Sequence, residues 1–178
     1  MIRLFAAVAV PEEMGEALLT RADGIPGARW RPLEALHVTL RFFGEVSNPV
    51  AAELDEALAT IRAPAFDLRL AGAGVFGGAD HMRAVWAGVA ESAELRHLAA
   101  KCETAAKRAG LVAEKRGYRP HVTLAYLRRA EAPKVAAWVQ ENNLLKSPPW
   151  RVESFGLYSS WSGPDGSRYD LERSYPLA

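Results

Sequence analysis

The sequence predicts a bilobal fold of mixed strands and helices, two lobes related by a pseudo-twofold with a groove between them. Three observations predict it. The tetrapeptide His37-Val38-Thr39-Leu40 returns 84 positions later as His121-Val122-Thr123-Leu124, an offset close to half of the 178-residue chain. Each copy lies in a short apolar run of strand character. The order strand, helix, motif strand, helix, strand can be read twice around the copies. Solenoid repeats have shorter periods and more copies, so one duplicated unit is expected. Its copies occupy approximately residues 1–80 and 81–165, and a strand over 168–177 completes a single bilobal domain spanning 1–178.

Arg3 to Val10 is short and nearly all apolar, which predicts a strand buried on both faces. Pro11-Glu12-Glu13 then opens a helix, because proline suits the first turn and acids there complement the dipole. Gly24, Pro26 and Gly27 stop it. Residues 35–43 form the first motif strand, ended by Gly44. Asn48-Pro49 starts the next helix, with Leu54, Ala57, Leu58 and Ile61 in its apolar stripe and Pro64 at its end. Phe66, Leu68 and Leu70 alternate with more polar residues as a half-buried strand. Gly72 to Asp80 reads as a glycine-rich connection.

In the second half, Ala84 to Ala90 is a buried strand. Ser92 caps a helix that carries Leu95, Leu98, Ala99, Cys102, Ala105, Ala106 and Ala109 on one face, closed by Gly110. Residues 119–127 are the second motif strand. Ala132 to Asn142 is a helix with Val135, Trp138 and Val139 inward. Trp150–Tyr158 and Arg168–Leu177 are closing strands around the turn Gly163-Pro164-Asp165-Gly166. Gly74-Val75-Phe76 answers Gly156-Leu157-Tyr158.

Composition excludes several classes. A hydrophobic share of 49% with 24% charged residues is that of an ordinary soluble globular protein. A net charge of +1 gives no global basic field for non-specific nucleic-acid binding. An anionic substrate therefore needs a local patch. The lone Cys102 forbids an internal disulfide and suggests no zinc cluster, which fits a reducing, cytoplasmic setting. The apolar N-terminus runs into Pro11-Glu12-Glu13 with no small-residue cleavage site, so a buried strand is expected there and not a signal peptide. No stretch approaches the roughly 20 apolar residues of a membrane span.

The chemistry lies in the doubled His-x-Thr. Residues i and i+2 of a strand share a face, so His37 projects with Thr39 and His121 with Thr123. Val38, Leu40, Val122 and Leu124 face a core. Phosphodiester cleavage needs two proton transfers, and histidine reaches both protonation states near neutrality. Two threonine hydroxyls can donate to phosphoryl oxygens. The same alternation puts Arg41 and Phe43 on the groove face, and Arg119 on the face of His121 with Pro120 between them. Arginine pairs with phosphate through its planar fork. Phe43, Phe76 or Tyr158 could stack on a base or contact the ribose.

A single His-x-Thr is usually only a polar strand; its duplication in matching contexts carries the argument. His81, beside Asp80, and His97, on a charged helix face, read as solvated, and Cys102 reads as core. A zinc site would want a third ligand, and no carboxylate stands at a neighbouring groove-facing position. There is no Gly-x-Ser-x-Gly elbow and no glycine-rich nucleotide loop.

Several stretches together resemble the 2H phosphoesterase superfamily. They are Arg3-Leu4-Phe5 with Pro11-Glu12, the run Trp30 to Gly44, Gly74-Val75-Phe76, Trp86-Ala87-Gly88-Val89, Arg119 to Ala125, and Phe155-Gly156-Leu157-Tyr158-Ser159-Ser160. Within it they are similar to the RNA 2′,3′-cyclic phosphodiesterase, or 2′-5′ RNA ligase, family. The resemblance implies a LigT-like α+β fold, antiparallel-rich sheets with outer helices and a central groove, and neither metal nor cofactor. It implies hydrolysis of RNA 2′,3′-cyclic phosphate ends to 2′-phosphates, with tRNA halves joined reversibly through a 2′-5′ linkage, by a monomer in the cytoplasm and away from membranes. His37 and His121 become the acid–base pair, and Thr39 and Thr123 bind the phosphate. The reading leans to His121 as base and His37 as acid while leaving the assignment open. Family members often carry a basic residue where this chain has Tyr126; Arg128, on the same strand face, is the candidate replacement. The competing readings are a 2′-5′ oligonucleotide or small cyclic-nucleotide phosphodiesterase, a non-catalytic RNA-end binding module, and a duplicated structural domain.

Overall fold

The apolar N-terminal run forms strand β1 (Ile2–Ala9), in which Leu4, Ala6 and Val8 enter the main core while Phe5 and Ala7 build a small apolar cluster on the other face. In this computed structural model the described residues are 1–164 and 166–178; Asp165 of the expected turn lies outside them. After β1 come α1 (Glu12–Leu19), β2 (Arg29–Trp30), a 3-10 turn (Leu33–Ala35), β3 (His37–Val46), α2 (Asn48–Ala59), β4 (Phe66–Leu68) and β5 (Leu70–Phe76). The second half supplies β6 (Ala84–Val89), α3 (Ala93–Arg108), β7 (His121–Tyr126), α4 (Ala132–Asn142), β8 (Trp150–Val152), β9 (Ser154–Gly163) and β10 (Gly166–Pro176). No helix among the described residues is long and apolar enough to cross a membrane.

Two four-stranded sheets carry the motifs, in the orders β10-β9-β1-β3 and β2-β7-β6-β5, and β4 pairs with β8 in a short ribbon. The named pairings within them are antiparallel. The two halves of the sequence exchange strands. β5, from the first half, completes the sheet of β6 and β7, while β9 and β10, from the second, complete the sheet of β1 and β3. Each motif strand thus lies in a sheet that the other half finishes.

Local chemistry explains the borders. Ser47, not Asn48, caps α2, its hydroxyl accepting from the Val50 amide, and Pro49 fills the first turn. Ser92 caps α3 in the same way, through the Leu95 amide. β3 does not stop at Gly44 but passes through it to Val46, because glycine accepts the φ of +79° found there.

The expected glycine-rich connection is largely strand β5. Its Gly74 is required by packing and not by a turn: a Cβ there would sit 2.3 Å from the Trp86 ring. Gly156, in β9, likewise leaves room for Tyr158. The stretch expected as one strand over 150–158 divides into β8 and β9, which belong to different sheets.

Candidate active site

The register of the motif strands decides what reaches the groove. Val38 and Val122 are fully enclosed, and Leu124 nearly so. Each contributes about 1.5–3 kcal/mol by leaving water. A one-residue slip would expose them, so His37, Thr39, His121 and Thr123 are fixed on the opposite face.

Beyond each threonine the strand bulges at the matching leucine. On β3 the pairing passes from Thr39 opposite Ala7 to Arg41 opposite Ala6, leaving Leu40 as the extra residue. On β7 it passes from Thr123 opposite Trp86 to Ala125 opposite Val85, leaving Leu124. A bulge re-aims the side chains that follow it. Phe42 and Tyr126, again 84 positions apart, therefore swing into the groove, 43% and 44% exposed.

This overturns the expectation for Arg41 and Phe43. Phe43 is buried in the core. Arg41 turns to α3, where its Nε donates to Glu103 at 2.6 Å and its Nη2 to the Val112 carbonyl at 2.8 Å. Strict alternation failed at Leu40, and a second irregularity skips Phe43 between the pairs Phe5–Phe42 and Leu4–Gly44.

His37 and His121 line one groove with Thr39 and Thr123. His37 rests among aromatic rings. Tyr158 meets it at a centroid distance of 4.5 Å and 60°, Tyr169 lies 5.7 Å away, and Phe5 lies 5.9 Å away. Burial, the largest cause, and the nearby Arg31 charge lower its pKa from 6.5 to about 4, against the opposing pull of the Ala35 carbonyl. His37 Nδ1 is buried without a partner at hydrogen-bonding geometry.

His121 is better anchored. Its Nδ1 lies 2.7 Å from the Arg119 carbonyl, which fixes the proton on Nδ1 and leaves Nε2 as acceptor in the neutral ring. Burial again lowers the pKa, the Arg119 carbonyl opposing it and the Arg119 guanidinium adding to it. Phe76 meets the ring edge-on. Both rings are thus biased towards the neutral form, and an anion placed between them raises both pKa values.

The other expected residues have different places. Arg119 is exposed and its guanidinium lies 5.2 Å over Phe76; Pro120 precedes the strand, so strand alternation does not extend to it. Tyr158 is 9% exposed and backs His37, and Phe76 backs His121. Tyr158, so enclosed, offers no open face to a base. Arg128 is exposed beyond the end of β7 and does not line the groove, whereas Tyr126 does.

Sequence reasoning missed Arg31, Arg3, Phe42 and Tyr169 in the groove lining, with Ser160, Ser162 and Ser167 from the β9–β10 hairpin. Arg3 lies 5.0 Å over Phe42. No carboxylate lines the groove, and no group of three His, Cys, Asp or Glu is placed to hold a metal, among the described residues. The signal for Arg31 was its place two residues after Arg29 in a run that leads into the motif strand. Nothing in the sequence said that this run pairs with the other half.

The sequence model of the 2′-5′ RNA ligase superfamily matches residues 11–163. An Aeropyrum pernix protein named RNA 2′,3′-cyclic phosphodiesterase is 47% identical over 129 residues, 71% of this chain and 73% of that one. An Escherichia coli K12 protein of the same name is 36% identical, covering 98% of this chain and 96% of its own. The crystal structure of E. coli LigT complexed with 3′-AMP superposes with a TM-score of 0.78 at 30% identity, over 99% of this chain and 98% of that one.

Proposed function

The chain belongs to the 2′-5′ RNA ligase superfamily, and from that premise we propose that it is an RNA 2′,3′-cyclic phosphodiesterase that opens cyclic phosphate ends to 2′-phosphates. The observation that carries the reading is the convergence of two His-x-Thr pairs, from two sheets, on one groove without a carboxylate.

The cyclic phosphodiester sits between the two motifs. One neutral imidazole takes a proton from water as it attacks phosphorus. The P–O3′ bond breaks, and the other imidazole, protonated, gives its proton to O3′. The phosphoryl group stays on O2′. Thr39 and Thr123 donate to the non-bridging oxygens, where charge grows. Run forwards with a 5′-hydroxyl in place of water, the same transfers join two RNA ends through a 2′-5′ linkage, as between tRNA halves, and run backwards they part them. One polypeptide supplies both motifs, which supports action as a monomer. The lone, buried Cys102 thiol fits the cytoplasm.

The test is an RNA ending in a 2′,3′-cyclic phosphate, incubated with EDTA and analysed for the 2′-phosphate product, with a cyclic mononucleotide in parallel. His37→Ala and His121→Ala should each lower turnover by about 100-fold or more. Thr39→Val and Thr123→Val should each cost about 1.5–3 kcal/mol in kcat/KM. Full activity in either histidine variant sinks the reading.

A further inference from the structure

We propose that Arg31 is the groove's phosphoryl-binding cation, a buried guanidinium held between two tyrosine rings for the oxygens of the group on which the histidines act. The proposal rests on the phosphodiester reading above and deepens it by naming the residue that takes the anion.

Arg31 is 9% exposed. Its amide donates to the Leu124 carbonyl at 2.8 Å, continuing the β2–β7 ladder past Trp30. Pro32 follows, and the single 3-10 turn then leads to His37. The backbone is therefore held from both sides. The guanidinium lies 5.3 Å over Tyr126 and 5.3 Å over Tyr169, so three separate strand regions converge on it.

What it lacks is a counter-charge. Its Nη2 is buried with no hydrogen-bond partner, and no carboxylate pairs with it, among the described residues. Other arginines that reach under the surface are satisfied: Arg41 pairs with Glu103, and Arg21 donates to Asn142 at 2.7 Å. A buried, unpaired cation is costly, and a fold keeps one where a ligand supplies the missing charge.

Arg31 lines the same groove as both histidines and both threonines, and its charge already acts on His37. The other groove cation, Arg3, is exposed above Phe42. A guanidinium fork matches two phosphoryl oxygens at once. The interaction strengthens as the phosphodiester monoanion becomes a 2′-phosphate. Tyr126 then serves as one wall of the clamp, which gives that position a use without a basic side chain.

The experiment compares wild type with Arg31→Met and Arg31→Lys, each checked for folding by its melting temperature. Binding of adenosine 2′-phosphate and of adenosine is measured by calorimetry, and His37 is titrated by NMR. Arg31→Met should weaken adenosine 2′-phosphate by about 10- to 100-fold, leave adenosine unchanged, keep the melting temperature, and move the His37 titration upward. Arg31→Lys should fall between. Should Arg31→Met fail to fold, Arg31→Lys decides, and wild-type affinity in it overturns the proposal. Undiminished 2′-phosphate binding in Arg31→Met also overturns it, as does equal loss of both ligands with a lower melting temperature. If wild type binds the 2′-phosphate through Arg31 but opens no cyclic end, the catalytic reading fails and the anion site stands.

Discussion

Phe76 meets His121 edge-on, with ring centroids 4.7 Å apart and planes at 83°, although the two residues come from opposite halves of the duplicated sequence. Tyr158 stands in the same relation to His37, at 4.5 Å and 60°. The strand exchange is the cause: β5 brings Phe76 beside β7 through β6, and β9 brings Tyr158 beside β3 through β1. Each half thus supplies an edge-on ring to the other half's histidine.

These rings should therefore act on turnover. An edge-to-face pair contributes about 0.5–1.5 kcal/mol beyond its buried area. Phe76→Leu, which keeps much of the volume, should lower kcat by roughly 3- to 10-fold if that energy holds the imidazole in line. Tyr158→Phe keeps the ring and should leave kcat near wild type. Steady-state kinetics on a cyclic-ended oligonucleotide checks both; an unaffected Phe76→Leu would show that the ring only fills space.

Stability should fall on the acid side because of His37. Its folded pKa is lowered from 6.5 to about 4, so the fold favours the neutral ring. That contribution is complete above pH 6.5 and is lost as pH falls from 6.5 towards 4, where the unfolded chain binds a proton that the folded one refuses. The span corresponds to about 3 kcal/mol. Urea unfolding of wild type and His37→Asn across this range should converge at low pH, the variant having the flatter curve. Parallel curves would remove the burial argument for His37.

How far the site was legible follows from the bulges. His37, Thr39, His121 and Thr123 could be placed because they precede the irregularities at Leu40 and Leu124, where period two still holds. Past those points the same rule named Arg41 and Phe43, and the structure put Phe42 and Tyr126 in the groove. A bulge depends on how a partner strand takes up twist, which no local pattern in the motif strand records. Arg31 was invisible for a related reason, since β2 is two residues long and joins the other half's sheet. The strand and helix order was readable because its hydrophobic periods are local. Gly74 was misread because what requires it is the ring of Trp86, twelve residues away.

The rate should have its own pH signature. The proposed mechanism needs one imidazole charged and one neutral in the free enzyme, and that state is most abundant between the pair's two apparent pKa values. Both are displaced below the ordinary 6.5, His37 to about 4. The cyclic phosphodiester stays anionic throughout, so kcat/KM should peak below pH 6.5 and decline above it. Binding of adenosine 2′-phosphate near pH 7 should take up protons, because the anion raises both histidines. Calorimetry in buffers of different ionisation enthalpy measures that uptake. A kcat/KM maximum above pH 7 would contradict the depressed pair.

Arg41 offers the contrast to Arg31. Its guanidinium joins β3 to Glu103 on α3 and to the Val112 carbonyl, with side-chain exposures of 10% and 22% for the two charged partners. Arg41→Met leaves Glu103 half-buried and without its cation, which should cost about 1–3 kcal/mol of stability. The groove residues keep their places, because Val38 and Leu40 still bind β3 to the core, so KM for a cyclic-ended RNA should stay within about twofold of wild type. Adding Glu103→Gln should recover part of the stability, since the stranded charge rather than the lost bond is the larger penalty. Thermal unfolding and KM, measured on wild type and both variants, separate an arginine that ties two elements together from one that meets the substrate. A large rise in KM for Arg41→Met with an unchanged melting temperature would return Arg41 to the groove, where strict alternation had placed it.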